Sequence, residues 1–283
     1  MQKKFQFFDI AANLADESFQ GIYYNKKIHE SDIESVIQRA TSVGCEHLLI
    51  VGGNIQDSIN SFQIAQKSPN FYCTVGVHPC RATEVEANAV GECGLDYDRF
   101  EYASKEAQLK QFEPHFALAE KHQLPIYFHN RNTGDDFFNI VKQNRNRFSS
   151  GVVHSFTGTS YELKQIIDLN LYIGINGCSL RDEKSIEVIK EIPLDKMMIE
   201  TDCPYCEIRN THPGKKFIKT VFEQKKKEKF SKEYMVRGRN EPCQIVQVLE
   251  VLAGFLNLDE KVIADACFQN TLKFFGIQQN QKL

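Results

Sequence analysis

The chain has 283 residues, 42% of them hydrophobic, with 25% charged residues and a formal charge of −3. That is enough to bury one large core, and α/β barrels of this length do not divide, so a single domain over 1–283 is expected. The balance of charge excludes a globally basic nucleic-acid binder, so any basic surface must be local.

Nine cysteines, and no apolar run near the roughly 18 residues that a bilayer span needs, point to reduced thiols and no membrane association. The start "MQKKFQFFDI" lacks the apolar region of a signal peptide. A protein that is not secreted is expected, cytoplasmic with the nucleus as the alternative, and a monomer by default.

In chain order, β-rich runs occur at 4–10 (KFQFFDI), 47–53 (HLLIVGG), 71–77 (FYCTVGV), 88–92 (NAVGE), 125–129 (PIYFH), 151–154 (GVVH), 171–177 (LYIGING) and 196–201 (KMMIET). Helix-period segments lie between them, for example 30–44, 104–123 and 160–170, the last with Ser160 as its expected N-cap. Eight strands alternating with helices predict an α/β fold, a (β/α)8 TIM-type barrel. Segments 241–258 and 259–276 read as two final helices covering the ring. The link 79–87 is shorter than the dozen or so residues of a usual parallel crossover. The stretch 215–232 holds eight lysines, with Glu223 and Glu228 interspersed; it reads equally as a DNA-attracting loop near the barrel mouth or as a solvated helix face.

Barrel active sites sit at the C-terminal ends of the strands. Those ends carry Asp9, Asn54, His78, Glu92, His129, His154, Asn176 and Asp202. Imidazole nitrogens and carboxylate oxygens converging on one mouth suit a divalent cation. Any one of these histidines alone would more often be a hydrogen-bonded core residue; the recurrence at separate strand ends is the argument.

The motifs "GVHP" (76–79), "GECGLDYD" (91–98), "PIYFHNR" (125–131), "VVHSFTGT" (152–159), "YIGINGC" (172–178), "IETDCPY" (199–205) and "RNEP" (239–242) resemble, in order, the TatD family of metal-dependent deoxyribonucleases. The resemblance covers nearly the whole chain. It implies a barrel of the amidohydrolase kind and hydrolysis of DNA phosphodiester bonds, including 3′-to-5′ trimming. It also implies Glu92, His129, His154 and Asp202 as metal ligands, with Asp202 and Glu92 catalytic. Where many relatives have D-x-H-x-H on the first strand, Ala11 and Asn13 stand at the histidine positions, as in a smaller branch of the family. One strong metal site is therefore expected, with the second in doubt and Mg²⁺ favoured over Mn²⁺ or Zn²⁺.

Arg131 and His78 are candidate phosphate contacts, the guanidinium because it can bind two oxygens at once. Asn13, Phe156 and Tyr205 are candidates for shaping the mouth, and core packing accounts for Phe156 equally well. Two competing readings keep the barrel: a small-molecule amidohydrolase, and a metal-poor nucleic-acid-binding relative. A third takes "CPYC" (203–206) as a redox site, although the turn formers after it argue against a following helix.

Overall fold

The computed structural model describes residues 5–81 and 91–277. Eight parallel strands follow one another: β1 (Phe7–Ala12), β2 (Cys45–Ile50), β3 (Phe71–Cys73), β4 (Gly91–Asp96), β5 (Ile126–Arg131), β6 (Gly151–Val153), β7 (Tyr172–Ile175) and β8 (Met197–Ile199). The interleaved helices are α1 (Ile33–Ser42), α2 (Ile55–Ala65), α3 (Lys105–His122), α4 (Asp136–Gln143), α5 (Ser160–Asp168) and α6 (Glu183–Lys190). Two more close the chain, α7 (Ile245–Leu256) and α8 (Glu260–Phe275).

Strands β1 to β3 pair in order, as do β4 to β8. The two sheets meet at both edges. Ala12 forms a parallel bridge to Cys203, and Asn13 N–H donates to the Cys203 carbonyl at 2.9 Å. At the other edge Gly91 N–H donates to the Val75 carbonyl at 2.9 Å. The backbones approach so closely there that a Cβ on Gly76 would fall on the Gly91 carbonyl, which is why this position needs glycine. The resulting strand order is that of the expected barrel.

Side chains alternate across each strand and so sort into two layers. Ile126, Phe128, Val153, Ile173, Ile175 and Ile199 face outward onto Phe112, Phe116, Phe137, Leu163 and Ile166 of the helices. Phe8, Ile10, Leu49, Tyr127, Val152 and Met198 fill the ring itself. Each such fully buried side chain contributes on the order of 2 kcal/mol. Phe8, Tyr72 and Tyr172, all near strand starts, pack on Phe274 or Phe275 of α8 at 5.1 to 6.2 Å between ring centroids. Helix α8 thus covers the end of the ring opposite the mouth.

Several expectations change: β5 runs past 129 to Arg131, and β2, β3, β7 and β8 end before the expected 53, 77, 177 and 201. Helix α5 is capped by Thr159, not Ser160: Thr159 and Glu162 form a reciprocal capping box, and Ser160 is the first helical residue. Strand β4 runs to Asp96, beyond the expected end at Glu92, because it stays paired with β5 as far as Asp96 opposite Arg131; the Gln108 amide then accepts from Asp96 N–H at 2.7 Å and donates to its carbonyl at 2.8 Å. The lysine stretch is not a helix face. It folds as short 3-10 turns and a two-residue ribbon, Gln224–Lys225 beside Met235–Val236. The expected strand start at 88–90 and the link from 82 to 87 lie outside the described residues; 79–81 form a 3-10 turn. Among the described residues no helix is long and apolar enough to cross a membrane.

Candidate active site

The inward-facing register that puts Tyr127 and Val152 in the ring carries His129 and His154 one step nearer the mouth, and Glu92 projects from the same face of β4. Their side chains meet at one atom. Glu92 Oε1 lies 2.6 Å from His154 Nε2, 2.9 Å from His129 Nδ1 and 3.6 Å from His78 Nε2. The His78 ring stands edge-on to His129 with centroids 4.6 Å apart. His78, a phosphate candidate from sequence, is thus placed among the ligand-type groups.

Two carboxylates that sequence reasoning did not single out support the histidines from behind. Asp96 Oδ2 lies 3.1 Å from His129 Nε2, and Glu200 Oε1 lies 3.5 Å from His154 Nδ1. Glu200 is itself fixed by the Ser155 N–H and the Asn176 amide, each at 2.8 Å. A Cβ on Gly174 would stand 2.5 Å from the Glu200 carboxylate, so the glycine leaves room for it. Both acids were legible in principle: Asp96 shares strand parity with Glu92, and Glu200 shares it with Asp202.

Charge in this cluster is mutually compensated. Burial opposes ionisation of Glu92, but the facing His154 and His78 and the hydrogen bonds from His129 and His154 outweigh it and hold the carboxyl well below its usual range. Burial would lower His154, yet Glu92 and Glu200 raise it well above an ordinary histidine; Asp96 and Glu92 raise His129 against burial in the same way. At His78 burial prevails and the pKa falls to about 4.

The donor set fits a divalent cation. Ligand atoms of His78, Glu92 and His129 lie within 4.8 Å of one another, and His154 joins them through Glu92. A metal-binding imidazole usually gives its second nitrogen to a carboxylate; Asp96 occupies that position at His129, while Glu200 faces His154 Nδ1 at an ion-pair separation.

Asp202 stands beside the cluster on the loop after β8, with no direct contact to Glu92 recorded among the described residues. Its Oδ1 accepts from the Asn13 amide at 3.0 Å and its Oδ2 from the Cys206 thiol at 3.2 Å. Burial, with the charges of Glu200 and Glu92 and against that of His154, pushes its carboxyl up to about 6. Asn13 also donates to the Cys203 carbonyl at 2.9 Å, so its amide N–H groups position the β8 loop. Ala11 is fully buried. The loop is clamped from the far side by Asn240 of the "RNEP" motif, which donates to the Thr201 and Tyr205 carbonyls at 2.9 and 2.7 Å.

The remaining candidates separate. Arg131 ends β5, and its buried Nε has no hydrogen-bond partner among the described residues. Tyr205 is 57% exposed, its hydroxyl on Asp16 at 2.7 Å. For Phe156 the burial favours the core-packing reading over the mouth: it is 3% exposed and lies in the main core. The C-P-Y-C stretch is not a dithiol pair either. Cys203 is fully buried, Cys206 contacts Cys178 and Asp202, and no helix follows.

A model of the "TatD related DNase" family matches residues 8–276. The chain belongs to this family. Among its TatD relatives, the "Deoxyribonuclease Tat-D" of Schizosaccharomyces pombe is 39% identical, covering 97% of each chain. The "3'-5' ssDNA/RNA exonuclease TatD" of Rahnella is 31% identical over 95% of this chain and 98% of its own. The crystal structure of a TatD family hydrolase from Entamoeba histolytica superposes with a TM-score of 0.89 at 33% identity, covering 95% of this chain and 98% of that one.

Proposed function

We propose that this TatD-family chain is a divalent-metal-dependent deoxyribonuclease that trims DNA from its 3′ end. The observation that carries the reading is the meeting of three histidines at Glu92 Oε1, backed by Asp96 and Glu200. Glu92, His129 and His154 would hold the ion, with His78 and Asp202 beside them; Mg²⁺ is the expected species and Mn²⁺ or Zn²⁺ the alternatives. Such an ion supplies a lowered pKa for bound water and relief of charge on the phosphoryl oxygens.

The chain's own groups supply the rest. The Arg131 guanidinium, whose buried Nε has no hydrogen-bond partner among the described residues, binds phosphate oxygens and sets the register of the scissile bond. Asp202, oriented by Asn13, accepts the proton of the attacking water. Tyr205 borders the mouth. The basic loop contributes salt-sensitive attraction of the strand through a depression of about 440 Å³ whose lining includes Arg209, Lys215 and Arg237. Asn13, whose amide donates to Asp202 and to the Cys203 carbonyl, acts as a positioning residue.

The test is incubation of purified protein with single-stranded and duplex DNA labelled at the 5′ end, with and without Mg²⁺. A metal-dependent ladder receding from the 3′ end is expected. Binding without cleavage at any divalent ion, or hydrolysis confined to small amides, would overturn the proposal.

A further inference from the structure

Cys206 turns away from its motif partner Cys203 and meets a cysteine from another strand end. Its Sγ lies 2.6 Å from Cys178 Sγ and 3.2 Å from Asp202 Oδ2. Cys178 opens the 3-10 turn after β7, and Cys206 sits in the loop after β8, so the two thiols join neighbouring strand ends on the mouth side of the barrel. Both are free and partly exposed, as are Cys73 and Cys80, whereas Cys45, Cys93, Cys203, Cys243 and Cys267 are buried. Two sulfurs already in contact meet the first requirement of a disulfide, a short approach of one sulfur to the other.

We propose that Cys178 and Cys206 form an oxidative modification site, a thiol pair that a hydroperoxide converts into a disulfide, and that this oxidation disables Asp202. In the first step the Cys178 sulfur attacks the distal peroxide oxygen. The O–O bond breaks, the thiol proton leaves with the departing oxygen as water or alcohol, and a sulfenic acid remains. In the second step the Cys206 sulfur attacks the sulfenyl sulfur, the S–S bond forms, and the hydroxyl leaves with the Cys206 proton as water. Sulfur loses two electrons in total and the peroxide gains them. The product no longer has the S–H that donates to Asp202 Oδ2, and it ties the loop carrying Asp202 to the turn at Cys178. Removing a hydrogen bond to an ionised acceptor is expected to lower turnover about tenfold.

The activity half of this inference rests on the nuclease reading; the thiol half does not. The protein is oxidised with hydrogen peroxide in the presence of a chelator, digested and mapped by mass spectrometry, and assayed on end-labelled DNA after Mg²⁺ is returned. A peptide pair linked through Cys178 and Cys206, a roughly tenfold loss of turnover reversed by dithiothreitol, and full resistance of Cys178→Ser are the expected results. Cys178→Ala serves if the serine variant folds poorly. Oxidation that leaves both thiols free, or links them to other cysteines, overturns the site. A Cys178–Cys206 disulfide with unchanged turnover overturns its effect on Asp202. If no preparation cleaves DNA, the nuclease reading fails while the disulfide map still decides the thiol site.

Discussion

Asp96 Oδ2 lies 3.1 Å from His129 Nε2, on the side of the imidazole opposite Glu92. The carboxylate fixes the ring so that Nδ1 points into the cluster. Asp96→Asn keeps the shape and removes the charge, and metal affinity should fall by about 10–100-fold. Turnover should recover at saturating metal. Calorimetric titration of Mn²⁺ decides this, and an unchanged affinity would show that Asp96 is only structural.

Glu92 is the oxygen that all three histidines share. Glu92→Gln should reduce nuclease turnover by at least about a hundredfold, because it withdraws charge where the transition state needs it. Folding should survive, since the facing histidines can give up their protons once the carboxylate charge is gone, so no uncompensated charge is left buried. Circular-dichroism melts beside the assay separate the two effects, and near-normal turnover at limiting metal would defeat the assignment.

Ala11 is fully buried and Asn13 uses its amide on Asp202 and on Cys203. Restoring histidine at both positions should raise bound Zn²⁺ from one ion towards two per chain, while overpacking costs about 1–3 kcal/mol. Metal analysis after dialysis, with a urea unfolding curve, tests both halves. Two tightly held ions in the wild type would show that the second site is already complete.

Asn240 holds two carbonyls of the Asp202 loop. Asn240→Ala leaves both without this donor and should cost about 2 kcal/mol. It should also lower kcat with little change in KM, since Asp202 loses its support while the Arg131 contact is untouched. A fall in KM-dependent binding alone would place the clamp elsewhere in the cycle.

His115 is buried in α3, its Nδ1 2.7 Å from the Gln111 carbonyl, and burial pushes its pKa down to about 4 from 6.5. Between these values the unfolded chain binds a proton that the folded chain refuses. Stability from this residue is therefore full above pH 6.5 and is lost as pH falls towards 4, by about 3 kcal/mol. His115→Asn should flatten that part of the Tm-versus-pH curve, and an identical slope in the variant would dismiss the effect.

Strand and helix alternation, and the residue types at the strand ends, were readable from the sequence because a barrel repeats one local pattern, and local periodicity follows from which face of each element is buried. The motifs likewise marked Glu92, His129, His154 and Asp202. What the ring alone decided is which side chains meet. Closure puts His78 beside Glu92, sets Asp96 and Glu200 behind the histidines, and brings Cys178 to Cys206 across a gap of 28 positions. The same closure turns Phe156 into the core, because a loop residue after a strand has no period to follow and takes its orientation from whatever packs against it.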